Sequence, residues 1–130
     1  MLAGGPDAVR SRAKGVGHGQ DVVERLVRGA VDLVAGEGTP HGCLCVNSVH
    51  ACGPDAHAVR RDAIAVRKAG EAALRRRLEQ ATDLPSRHDP ATLAALVHTI
   101  TDGIAVQAAT GRSHDELRRI GDLALHAVLT

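Results

Sequence analysis

Histidine and cysteine crowd one short stretch of this 130-residue chain, as His41, Cys43, Cys45, His50 and Cys52. Imidazoles and thiolates are the side chains that hold zinc and softer transition metals, so metal or thiol sensing is the first chemistry to weigh. Helical spacing speaks against it. Each helical residue turns by about 100°, which sends Cys43 and Cys45 to nearly opposite sides. Cys45 and Cys52 share a face, but at about 1.5 Å per residue they stand about 10 Å apart. Two sulfurs bonded to one zinc at about 2.3 Å each cannot span that gap. His41 with Cys45, four apart, is the pair able to chelate, and the chain has neither a Cys-x-x-Cys knuckle nor a His-Glu-x-x-His helix. Thiols packed as small hydrophobes are the expectation, with no metal.

Nucleophilic catalysis would need one of these cysteines, or Ser48, beside His50 or His98. No Gly-x-Ser-x-Gly elbow occurs, and no strand pattern is present to hold a strained nucleophile. Gly15-Val16-Gly17-His18-Gly19 looks superficially like a phosphate loop, yet it lacks a preceding strand and a following lysine. The chain is therefore expected to be neither an enzyme nor the holder of a cofactor.

The elements that must carry these residues are helices. Residues 1–19 are rich in glycine and basic residues and are expected to be a flexible leader, with one domain over residues 20–130. From Asp21, Val22, Val23, Leu26, Val27, Ala30, Leu33 and Val34 mark one helical face, closed by Gly36, Gly38 and Pro40. A second helix is expected from Gly42 to Gly53. The longest, over about Asp55 to Thr82, has the apolar stripe Val59, Ala63, Val66, Gly70, Leu74, Leu78 and Ala81. Asp89-Pro90 is an N-cap followed by proline at the first helical position, and it opens a helix with Leu93, Leu96, Val97, Ile100 and Ile104. Ser113 to Glu116 is a capping box ahead of the stripe Leu117, Ile120, Ala124 and Val128. The fold class is all-α, an antiparallel bundle of about five helices.

Composition shapes how such a bundle can pack. The hydrophobic share is 44%, but Phe, Trp and Tyr are all absent. Aliphatic and alanine side chains fill a core only where backbones approach closely, which also favours burying surface against a second copy. A net charge of +1 gives no overall field for nucleic acid. The arginines of the longest helix, densest at Arg75-Arg76-Arg77, spread around its axis and have acids nearby, as a solvated face does. No apolar run reaches the roughly 20 residues that span a bilayer, and no secretory signal stands at the start. Three cysteines, an odd number, point to reduced thiols and a cytoplasmic protein.

Pairing is legible in the last two helices. Ala91, Ala95, Thr99 and Gly103 form a line of small residues four apart, a spacing that lets helix axes come close. Leu123, Leu125 and Leu129 lie off the main stripe of the final helix and need cover of their own. Two copies of this antiparallel pair about a two-fold axis make a four-helix bundle, with an interface of Ala95, Thr99, Gly103, Leu117, Ile120, Ala124 and Val128.

One run fits no rule of composition: Gly42-Cys43-Leu44-Cys45-Val46-Asn47-Ser48. It resembles the opening of the central helix in the C-terminal domain of TetR/AcrR-family transcriptional regulators. The resemblance continues through Cys52-Gly53-Pro54-Asp55, Val59-Arg60, Leu74 to Leu78, Asp89 to Ala94, Gly103 to Ala108 and Thr110 to Leu117. It covers about residues 20 to 130. It implies an effector-binding and homodimerising domain in which the last two helices form the interface and a small molecule lodges among the central helices. It further implies that DNA is read only through a helix-turn-helix domain, which this stretch does not contain. The residues placed at the implied pocket are Val46, Asn47, His50, His98, Thr101 and Asp102, with His98 and Asp102 spaced to pair. Without aromatics the pocket cannot stack flat rings, so a small aliphatic or weakly polar effector is expected. A ligand-free dimerisation module and a thiol- or metal-based sensor are the alternatives.

Overall fold

In the computed structural model, the residues described are 18–35 and 56–130. They form four helices: α1 (Gly19–Ala35), α2 (Ala56–Glu79), α3 (Pro90–Ala109) and α4 (His114–Leu129). No strand occurs among the described residues. The helix expected over 42–53, the five-helix count that includes it, and most of the expected leader lie outside them. The described residues are all-helical, as their periodicity indicates.

Helix ends follow local chemistry. Asp89 has extended backbone, and its carboxylate accepts from both Thr92 N–H and Thr92 Oγ1 at 2.9 Å. The Thr92 N–H, then its hydroxyl, hold the Asp89 carboxyl below its ordinary value. At the start of α4, Ser113 Oγ accepts from Glu116 N–H at 3.2 Å, and Glu116 accepts in return from Ser113 N–H. The Ser113 hydroxyl and N–H, with Arg112 beside them, lower the Glu116 carboxyl likewise. Gly111 takes φ 100° between the two helices, a left-handed conformation that suits glycine. The last turn of α2 carries Arg76 and Arg77, which oppose the negative end of its dipole.

The α2–α3 loop closes two other helices. Asp83 accepts from Gly19 N–H at 2.8 Å and from Gln20 N–H at 3.2 Å, so it caps α1 from across the bundle. That cap explains why α1 starts at Gly19, two residues before its periodic face. On the other side of the loop, Arg87 donates to the carbonyls of Ala127 and Thr130, and His88 Nε2 lies 2.7 Å from Val128 O. A carbonyl can only accept, so that ring nitrogen carries the proton. Arg87 and His88 here meet carbonyls at the end of α4, the Arg87 guanidinium also opposing the negative end of its dipole.

α3 is the hub: it packs against α1, α2 and α4, while α1 also packs on α4. The core is aliphatic throughout, with Val23, Val27, Val31 and Val34 from α1 and Leu74 and Leu78 from α2. α3 supplies Leu93, Ala94, Val97, Ile104, Ala105 and Ala108, and α4 supplies Leu117, Leu125 and Val128. Close approach replaces bulk. A Cβ placed on Gly121 would sit 3.4 Å from Val27 and Val31, which shows how near α1 and α4 run.

The buried stripes differ in phase from those read by periodicity. Val31 belongs to the core of α1, whereas Leu33 is 71% exposed. On α2 the buried positions are Ala63, Leu74 and Leu78, and Val59 and Val66 face outward. Seven-residue steps such as 59 to 66 lag a straight helix by about 20° each, so a stripe threaded through them drifts off the packed face. On α4, Gly121 and Leu125 lie inside, while Ile120 turns out.

Candidate effector recess and association face

Between α2 and α3 a half-buried ion pair joins Arg67 to Asp102. The pair fixes what Asp102 does. It serves Arg67, and no hydrogen bond joins it to His98 one turn earlier, so the expected His98–Asp102 pairing is replaced by a contact across the helix seam. Thr101 donates its hydroxyl to the His98 carbonyl at 3.0 Å and so satisfies itself within α3. His98 lines a recess of about 200 Å³ shared with Ile64, Arg67, Lys68 and Glu71 of α2. Gly70 lies alongside. A Cβ there would be 3.7 Å from His98 Cε1, so the missing side chain leaves the imidazole room against the α2 backbone.

The other residues placed at the pocket, Val46, Asn47 and His50, lie outside the described residues, as do His41, Cys43, Cys45 and Cys52. Among the described residues no three His, Cys, Asp or Glu side chains gather as a metal site, and no helix is long and apolar enough to cross a membrane.

The outward face of α3 is unusual for a solvated helix. Its polar members are few, and Leu96 and Val106 are 40% and 48% exposed. Thr99 donates its hydroxyl to the Ala95 carbonyl at 2.8 Å, which leaves it needing no outside partner. Nothing lies within 4 Å of a Cβ built on Gly103. A turn of about 100° per residue places Ala95, Leu96, Thr99, Gly103 and Val106 on one side of the axis, opposite Val97, Ile104 and Ala108. On α4 the same construction sets Ile120, Leu123 and Ala127 on the side turned from α1, whose contacts run along Gly121 and Asp122. Each helix of the α3–α4 hairpin therefore carries an outward apolar strip.

Each expected interface residue now has a place. Ala95 and Ala124 are half-buried, and Thr99, Gly103 and Ile120 are exposed. Leu117 and Val128 are corrected: at 0% and 6% exposure they are consumed by the protomer's own core and have no surface for a twin. Leu125 is inside as well, and Leu129 packs against the core, so Leu123 at 69% is the member of its trio left uncovered.

Periodicity does not single out Arg67, Lys68 and Glu71 as lining a recess, because they read as a solvated charged face. The signal available was weak: a half-buried cation on one helix and an acid on the next. No protein-family model, no curated protein and no solved structure matches this chain.

Proposed function

We propose that residues 20–130 are the effector-binding and homodimerisation domain of a TetR/AcrR-like transcriptional regulator. The observation that carries this reading is the outward side of α3 and α4, where Leu96, Val106, Ile120 and Leu123 stand exposed and Gly103 is open. A helix apolar on all sides is stable when every side is covered. Here α1, α2 and α4 cover part of α3. A second copy, applied by a two-fold axis, covers the remainder with the same face and needs no other protein. The sequence resemblance supplies the regulatory meaning, and the all-helical architecture agrees with it.

In such a regulator the effector acts through its differential affinity for two arrangements of the dimer. α3 is suited to that role, because it borders both the recess and the association face. Occupancy beside His98 alters how α2 leans on α3, and the hairpin passes that change to the twin. DNA reading belongs to a separate helix-turn-helix unit whose spacing the dimer sets.

A reporter assay tests both parts. The chain is fused behind a DNA-reading head that represses only when paired. Repression is expected with the natural sequence and is expected to vanish with Gly103→Leu. A fusion that never represses, or one indifferent to Gly103→Leu while folded, would refute the proposal.

A further inference from the structure

The α2–α3 recess carries charges of both signs that no other described residue partners. Lys68, Glu71 and His98 line it, and among the described residues the side chains of these three make no hydrogen bond or ion pair. Arg67 at its edge is joined to Asp102. Lys68 and Glu71 are three apart on α2, so their Cβ atoms are about 5–6 Å from one another and their charged ends can converge on one small molecule. Ile64 adds an apolar wall, and His98 borders the recess from α3.

We infer that this recess binds a small aliphatic α-amino acid, with its carboxylate on Lys68, its ammonium on Glu71 and its side chain against Ile64 and His98. This deepens the effector-binding reading above and takes its regulatory meaning from it. The choice of ligand follows by elimination on charge. A simple carboxylate would meet Lys68 but lie beside the like charge of Glu71. A simple amine would meet Glu71 but lie beside Lys68 and Arg67. A zwitterion whose two charges flank one carbon satisfies both residues at once. Size agrees, because the volume of about 200 Å³ falls below the roughly 300–1,000 Å³ of sites for drug-sized molecules. Lys68 and Glu71 can also pair with each other in the empty site, but exposed pairs of this kind contribute little, so a ligand displaces them readily. The lining asks for more polarity than the aliphatic or weakly polar effector expected from composition.

The test is thermal unfolding and calorimetric titration of the full chain with L-leucine, beside two molecules that each lack one of its charges. These are 4-methylpentanoate, which has no ammonium, and 3-methylbutylamine, which has no carboxylate. Leucine at about 10 mM, roughly tenfold above a millimolar dissociation constant, is expected to raise the melting temperature, and neither partial analogue should. Lys68→Met and Glu71→Gln should each weaken leucine binding by about tenfold or more while keeping the helical content of the parent. His98→Ala should weaken it less, because the ring gives a wall and not a charge. The inference is overturned if leucine has no effect, if 4-methylpentanoate protects equally, or if both charge variants still respond. Mass measured in the same samples separates the two claims. A dimer blind to leucine sinks this inference alone, and a monomer that binds leucine sinks the dimer reading alone.

Discussion

Two glycines in mid-helix make a matched pair of probes. Gly29 on α1 and Gly103 on α3 both have open space where a Cβ would stand, with nothing within 4 Å. Alanine should therefore stabilise the protomer at each site by about 0.5–1 kcal/mol, through the lower conformational entropy of the unfolded chain. In a domain of this size that is a rise in melting temperature of roughly 4 °C. If the twin packs onto Gly103, the two sites part company. A methyl on the small-residue line forces the crossing helices apart, and overpacking of this kind costs about 1–3 kcal/mol. Symmetry places two such methyls in each dimer, so the dissociation constant should rise by about tenfold or more, since each 1.4 kcal/mol is a factor of ten. The assay is melting followed over a wide range of protein concentration, with sedimentation equilibrium on the same stocks. Gly29→Ala should melt higher at every concentration. Gly103→Ala should melt lower than the parent where the parent is dimeric, and higher where dilution has separated both. Equal gains for the two variants at all concentrations, with unchanged mass, would refute close packing at Gly103.

Gly19 should behave in the opposite way to Gly29. A Cβ there would lie 2.6 Å from Ala81 Cβ and 2.8 Å from Leu84 Cδ1, and the first of these cannot move without its backbone. Gly19→Ala is expected to cost about 1–3 kcal/mol in urea unfolding, and a neutral result would contradict the tight seat of α1 on the α2–α3 loop. Acid should loosen the starts of α3 and α4. Native hydrogen bonds lower the Asp89 and Glu116 carboxyls, so the stability they add is complete above the ordinary carboxylate range and is lost as pH falls through the depressed native values. Asp89→Asn with Glu116→Gln should flatten the acid limb of the stability–pH curve, and an unchanged limb would show that other groups set it.

The sequence was most informative where the physics is local. Asp89-Pro90 and Ser113 to Glu116 carry their cap partners within three residues, and both caps form as their spacing predicts. Helix existence was legible too, because apolar recurrence at three and four is dense in α1, α3 and α4. Phase was harder. Without aromatic anchors, a Val such as Val66 and an Ala such as Ala63 compete for the same stripe, and the choice depends on how α2 is rotated against α3. Long-range partners were not legible at all. Asp83 reaches α1 across more than sixty residues, and Arg67 meets Asp102 across 35, distances at which no spacing rule operates. Lying off the main stripe distinguishes outward Leu123 from the core, but the same position sends Leu125 and Leu129 to cover within the protomer. The outward turn of Leu96 is not legible, because its spacing fits the core stripe equally well.

Sedimentation equilibrium of the unaltered chain at tens of micromolar, run beside Leu123→Glu, bears most directly on the pairing of α3 and α4. The parent is expected at twice the 13.5 kDa chain mass, and the variant at the single-chain mass with intact helicity. A parent that sediments as a single chain, or a Leu123→Glu protein that remains a dimer, would contradict that pairing.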